Sequence, residues 1–395
     1  MFIKNFNLLI KSQLQLRFTT HIELTMCKHS KKMSIFNIFC TIEQKVLTTI
    51  LIYAIIILEV RILKNIYRKL YMDRLISLKD KQIIKVITGI RRSGKSTVLN
   101  EFFNYLVSNG VDKKNIILIN FDDANYKYLL NADKLHEYII SNTDETKKNY
   151  IILDEIQNVP NFQKCIDSLF LRDYLDIYIT GSNSYMLSGE LATYLTGRYI
   201  QIHILPLSFK EYLSYYGETD ELKKYNEYIT YGGFPYLINL DTSKDKLDYL
   251  DGIYNTVIMK DVISRKKIND PLMLENVCRF LFDNIGSNIS VKKISDTIAS
   301  DGRPNSVHTI EEYLNALIES YILYKVDRYG IKGIELLKTQ SKYYLSDLGL
   351  RTYLLGNSQD KDLGHILENI IFLELKRQGF KIFVGKNDSS DVDFV

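Results

Sequence analysis

Residues 89–97 read Gly-Ile-Arg-Arg-Ser-Gly-Lys-Ser-Thr. Gly89 and Gly94 bracket Ile90, Arg91, Arg92 and Ser93, and they permit a tight turn whose backbone N–H groups point inward at phosphate oxygens. Lys95 then supplies a point charge to β- and γ-phosphates, and Ser96, followed by Thr97, supplies a hydroxyl for Mg²⁺. The flanks fit the same task. Ile83–Thr88 is a β-branched, apolar stretch that reads as a buried strand, and VLNEFFNYLVS after the loop has helical character. The pattern predicts a site for ATP and Mg²⁺.

A second set of candidates lies further along the chain. Tyr150–Asp154 is an apolar run ending in Asp154-Glu155, 59 residues after Lys95 counting to Asp154, with another strand, Ile116–Phe121, in between. Asp154 suits Mg²⁺, directly or through water, and Glu155 suits a general base that polarises an attacking water. An Asp-Glu pair at this point fits water activation better than phosphoryl transfer to a second substrate. A fourth strand, Ile177–Thr180, runs into Gly181-Ser182-Asn183-Ser184. Ser182 or Asn183 can sense the γ-phosphate there, or the segment can be a turn that caps the next helix. Arg198 precedes a fifth strand, Tyr199–Ile204. It is placed either as an arginine finger acting on a neighbouring subunit or as a helix-end cation favoured by the dipole.

These residues need an α/β scaffold, and the 395-residue chain has room for two or three domains. Charge divides the chain unevenly. Residues 1–70 hold 11 Lys/Arg against 3 Asp/Glu, and the remainder holds 40 against 44. The body is therefore not a nucleic-acid binder by bulk charge. Cys27, Cys40, Cys165 and Cys278 show no metal-ligand or disulfide spacing, which fits a reduced, cytoplasmic chain. The longest apolar run, Val46–Leu58, has 13 residues and is stopped by Glu59 and Arg61. About 20 are needed to span a membrane. Residues 1–59 stand apart as a leader: a buried helix, a short anchor, or sequence foreign to the body.

GIRRSGKST, YIILDEIQ, YITGSNS and LTGRYIQIHILPLSFKEYL together resemble the bacterial and archaeal AAA+ ATPases that carry a C-terminal domain of unknown function. The similarity extends through YGGFPYLI, KYYLSDLGLR and GHILENIIFLELKRQGFKIFVGK, over roughly residues 65–395. It implies a P-loop core at 60–207 with a parallel sheet of order 5-1-4-3-2, and a helical lid and connector at 208–268. A mostly helical, winged-helix-like region would follow at 269–355, then an α+β nuclease-like segment at 356–395 that reads as incomplete. It further implies that Gly232-Gly233-Phe234-Pro235 lies near the adenine, with Pro235 in contact. The third helix of the winged-helix-like region carries Glu311, Glu312 and Glu319 and no Lys or Arg, which favours a protein-contact or structural role over DNA binding. In a nuclease-like core Glu368 and Asp393 would ligate Mg²⁺, yet a following strand with an acid and a Lys is missing. Without those partners they read as a solvated helix acid and a turn acid. The expectation is an ATP-hydrolysing, homo-oligomeric switch or motor acting on a protein partner. The alternatives are a nucleotide-gated binding module with little turnover and an ATP-dependent nuclease or defence effector.

Overall fold

The computed structural model describes residues 66–182, 195, 197–217, 219–263, 268, 270–300, 302–329, 340–356, 359–387 and 390–395. The leader, Asn183 and Thr196 lie outside the described residues.

Apolar, β-branched stretches make the central sheet. Strands β1 (Ile84–Thr88), β2 (Ile116–Asn120), β3 (Asn149–Asp154), β4 (Leu175–Gly181) and β5 (Tyr199–His203) pair in parallel in the order β2-β3-β4-β1-β5. This is the expected 5-1-4-3-2 arrangement read from its other edge. β1, β3 and β4 are buried along their whole length, as central strands covered on both faces must be. Side chains alternate between the faces. On one face Ile87, Ile152 and Tyr178 meet Met72 and Leu75 of α1 (Lys69–Leu78) and Leu99 and Phe102 of α2 (Lys95–Ser108). On the other, Val86, Ile151 and Ile177 meet Leu135 and Ile139 of α3 (Ala132–Ser141) and Ile166 and Leu169 of α4 (Phe162–Phe170).

Beyond the sheet come α5 (Phe209–Tyr216), α6 (Glu221–Tyr231) and α7 (Ser243–Ile253), the last continuing into a wide-turn helix at Tyr254–Val262. α5 starts with a reciprocal cap between Ser208 and Glu211. The next region runs α8 (Pro271–Asp283), β6 (Ile289–Ser290), α9 (Val291–Ser300), α10 (Val307–Glu319), β7 (Leu323–Tyr329) and β8 (Gln340–Leu345), three helices followed by an antiparallel pair of β7 and β8. The partner of β7 is KYYL of β8. The stretch KGIELLK, residues 332–338, has a sequence that suits a strand, and it lies outside the described residues. α11 (Leu348–Leu355), α12 (Gln359–Arg377), β9 (Val384–Asn387) and β10 (Ser390–Val392) complete the chain.

The second sheet has the order β10-β9-β7-β8-β6, and β9 pairs with β7 in parallel. The 356–395 segment therefore shares a sheet with the 269–355 region. A single core runs from Phe234 and Leu237 through Leu281, Phe282 and Leu317 to Tyr344 and Phe372, joining the lid to the C-terminal elements. Among the described residues no helix is long and apolar enough to cross a membrane.

Candidate functional site

The loop from β1 to α2 is bent by backbone that few side chains tolerate. Gly89 has φ +144, and a Cβ there would lie 2.1 Å from the Ile204 carbonyl oxygen, so only glycine fits against the chain leaving β5. Arg92 has φ 67, a left-handed conformation uncommon for a long side chain. Lys95 is buried at the first position of α2, and its ammonium donates to the carbonyls of Gly89 at 3.0 Å and Ile90 at 3.2 Å. It is thus folded onto its own loop. Burial pushes its pKa down, and the charges of Glu155 and Asp154 oppose that shift.

The acids close the site from β3. Asp154, its last residue, is buried and hydrogen-bonded to Ser96 and Thr180, with Thr180 Oγ1 donating to Asp154 Oδ1 at 2.5 Å. Thr180 Oγ1 also accepts the Glu155 backbone N–H at 2.8 Å. Burial raises the Asp154 carboxyl above its usual range against those two bonds, and the nearby Glu155 charge adds to the rise. A buried acid beside a serine hydroxyl is a donor set of hard oxygens suited to Mg²⁺. Glu155 follows in left-handed backbone, φ 55 and ψ 43. Burial alone would raise its carboxyl. The Lys95 charge and hydrogen bonds from Ser182 and Gln157 hold it below the usual range instead, which favours the carboxylate form. Ser182 Oγ donates to Glu155 Oε2 at 2.7 Å. The structure therefore brings Lys95, Ser96, Asp154, Glu155 and Ser182 together.

Pro235 comes to the same loop from 140 residues away. Its Cγ lies 3.5 Å from the point where a Gly94 Cβ would stand. Asp347 holds this segment. It accepts the N–H of Gly233 on Oδ2 at 2.7 Å and that of Gly349 on Oδ1 at 2.8 Å. A Cβ on Gly232 would sit 1.8 Å from Asp347 Oδ1, which excludes any other residue there. Fully enclosed, Asp347 is pushed up to about 7, with backbone N–H groups of Gly233, Gly349 and Phe234 resisting the rise.

Further links run from the loop to the C-terminal elements. Arg68, buried before α1, donates to the Ser93 carbonyl at 3.0 Å and makes a two-pronged contact with Glu211 of α5, both prongs at 3.0 Å. Arg377, at the end of α12, donates to the Pro206 carbonyl and the Tyr71 hydroxyl, each at 3.0 Å, and lies 3.6 Å from Glu211. His203 bridges Thr88, the residue before the loop, at 3.0 Å and the Tyr324 hydroxyl of β7 at 2.7 Å. Burial lowers its pKa to about 3, with Lys376, Lys95 and Arg377 adding to the fall, so the imidazole is neutral.

Arg198 lies elsewhere. Its carbonyl accepts the N–H of Ile84, the first residue of β1, so it stands roughly 13 Å of strand away from its own phosphate loop. Its guanidinium is paired with Asp167 of α4 and lies over the Phe170 ring. Glu368 is not the solvated helix acid the sequence suggests. Its side chain is 12% exposed, and Lys342 Nζ and Tyr344 OH of β8 both bond to its Oε1 at 2.6 Å. Lys342 also reaches Asp393 at 2.8 Å. Sequence reasoning missed Arg68, Gln157, Thr180, Lys342 and Asp347. Only Glu211 had a local signal, the Ser-x-x-Glu cap.

The sequence profile of the AAA domain matches residues 81–213, and that of a domain of unknown function (DUF8612) matches residues 222–361. An uncharacterized protein of Haemophilus influenzae is 40% identical over 335 residues, covering 84% of this chain and 83% of its own length. An uncharacterized protein of Methanocaldococcus jannaschii is 34% identical over 334 residues, covering 79% of this chain and 71% of its own. Among solved structures, a Walker-type ATPase of Pyrococcus abyssi has the same fold, with TM-score 0.53 and 16% identity over 73% of this chain and 96% of that one.

Proposed function

We propose that this chain, which belongs to the AAA-type P-loop ATPase family together with the Haemophilus influenzae protein, hydrolyses ATP with Mg²⁺ and uses nucleotide occupancy to set the position of its C-terminal elements. The observation that carries the reading is the ionised Glu155 carboxylate beside the Ser96–Asp154 pair and the Lys95 ammonium. In this reading the loop N–H groups and Lys95 bind the phosphates, and Ser96 and Asp154 hold Mg²⁺. When bound, the metal neutralises charge on the phosphate oxygens. Glu155 takes the proton from the attacking water. Pro235 lies against the loop and borders the nucleotide.

The links from the loop through Asp347, Arg377 and His203 support a second element of the reading, a switch in which nucleotide occupancy is felt by the C-terminal elements; we propose that it acts on a protein partner from within a homo-oligomer. The test separates binding from turnover. Lys95→Ala should abolish ATP binding, whereas Glu155→Gln should retain Mg·ATP and lower kcat by on the order of 10²-fold or more. An ATP affinity of Lys95→Ala within twofold of wild type overturns the assignment of the loop.

A further inference from the structure

The Glu155 carboxylate is clamped through one oxygen. Ser182 Oγ donates to Oε2 at 2.7 Å, and Gln157 Nε2 donates to the same Oε2. Neither donor touches Oε1. Gln157 lies two residues beyond Glu155, in the short turn Ile156–Asn158 that leaves β3. The left-handed step at Glu155 breaks the strand and starts that turn, and the two side chains meet across it.

The turn does not need Gln157 to hold its shape. Asn158 Nδ2 donates to Asp122 Oδ1 at 2.9 Å, Val159 N to the Ile156 carbonyl at 2.9 Å, and Ile156 is fully buried in the core. Gln157 leaves its own carbonyl oxygen, Oε1, buried with no hydrogen-bond partner among the described residues. An amide kept for stability satisfies both of its ends. This one gives its donor to Glu155, and its acceptor has no partner among the described residues. A carboxylate only accepts, so the nitrogen is the end that faces Glu155.

We propose that Gln157 is a positioning residue for ATP hydrolysis: with Ser182 it fixes Glu155 Oε2, so that Oε1 is the oxygen presented to the attacking water. The inference rests on the ATPase reading above. It assigns Ser182 to the base rather than to the phosphate, and it names the partner that makes the clamp rigid. One hydrogen bond leaves a carboxylate free to rotate about it. Two donors from different elements, the turn after β3 and the end of β4, fix its plane. A base displaced by about an ångström loses on the order of 10²-fold in rate.

The experiment compares the full chain as wild type, Gln157→Ala, Gln157→Leu, Glu155→Gln and the double variant Gln157→Ala/Glu155→Gln. Readouts are kcat and KM for ATP, Kd for a fluorescent ATP analogue, Tm, and single-turnover rates for the slow variants. Gln157→Ala and Gln157→Leu should each lower kcat 10- to 100-fold, with KM and Kd within twofold and Tm little changed, since the turn is held by Asn158, Val159 and Ile156 and loses only the one donor to Glu155. On the Glu155→Gln background, Gln157→Ala should cost nothing further, because the carboxylate it positions is gone. An unchanged kcat in both single variants overturns the proposal, as does an equal loss on both backgrounds or a loss that tracks a fall in Tm. A wild-type chain that binds ATP without turnover overturns the ATPase reading itself, and this inference with it. A competent wild type with indifferent Gln157 variants overturns this inference alone.

Discussion

Asp347 Oδ2 accepts the backbone N–H of Gly233 at 2.7 Å, joining residues 114 positions apart. The acid caps α11 with its other oxygen, so one carboxylate ties the C-terminal elements to the segment that sets Pro235 against the phosphate loop. Both oxygens accept from backbone N–H groups. An amide in their place must turn its own N–H₂ toward one of them and leave that donor unpaired. Asp347→Asn should therefore destabilise the fold by about 1–3 kcal/mol and weaken ATP binding. Urea unfolding and nucleotide titration measure the two effects.

The same carboxyl gives a pH signature. Its folded pKa, about 7, lies above the ordinary value of 3.8, so the folded chain binds this proton more tightly than the unfolded chain does. Its contribution is greatest below pH 4 and is lost as pH rises through 7. The difference in unfolding free energy between wild type and Asp347→Asn should accordingly shrink from pH 5 to pH 8. A difference that is flat over that range would mean that Asp347 is ionised in the fold throughout.

At the far end of the sheet, Lys85 of β1 is paired with Asp176 of β4, both side chains fully buried. Asp176 also accepts the Tyr178 hydroxyl and the Asp80 N–H, each at 2.9 Å. Removing one member strands a buried charge, so Lys85→Met should cost about 3–5 kcal/mol. Lys85→Met/Asp176→Leu should recover part of the loss but not all, because Tyr178 and Asp80 lose their acceptor. Denaturant midpoints test this. ATP affinity of the folded fraction should not move, since the pair sits at the opposite end of β1 from the loop.

The contrast between these two pairs shows what could be read along the chain. The phosphate loop and the Asp154-Glu155 step follow from short-range patterns, glycine spacing, apolar runs and acids at a strand end, whereas the order of the sheet is what the resemblance to AAA+ ATPases implies. Asp347, Lys85 and Arg68 carry no such pattern, because each is defined by a partner more than 20 residues away that only folding supplies. Gln157 was hidden differently. It sits inside the quoted DEIQ stretch, but its role depends on the left-handed backbone at Glu155. Nothing in the residue types announces that conformation.

Arg198 offers a test of assembly. It stands a strand's length from its own phosphate loop, paired with Asp167, so any action on ATP must be on a neighbour's. Arg198→Ala should lower kcat by on the order of 10³-fold. Mixing it with Lys95→Ala should restore activity, because shared interfaces then pair an intact loop with an intact arginine. If no mixing ratio recovers activity and Arg198→Ala changes only stability, by less than about 1 kcal/mol, the residue is a surface partner of Asp167.

Lys342 decides what Glu368 of α12 and Asp393, just after β10, can do. Its ammonium lies between Glu368 at 2.6 Å and Asp393 at 2.8 Å, and Tyr344 takes a further site on Glu368 at 2.6 Å. The space between the carboxylates that a divalent ion would need is filled by a cation already covalently part of β8. Among the described residues no group of three potential ligands forms there. The chain should therefore show no Mg²⁺-dependent cleavage of plasmid DNA, and Mg²⁺ should not raise the stability of the C-terminal elements. Lys342→Met should destabilise the C-terminal elements. It leaves Glu368, 12% exposed, facing Asp393 without a counter-charge, so β9 and β10 should exchange their amide hydrogens faster in the variant than in the wild type. Hydrogen exchange of the two proteins reads this directly. Plasmid cleavage by the wild type that Asp393→Ala removes would show instead that Lys342 leaves the acids and that they ligate a metal.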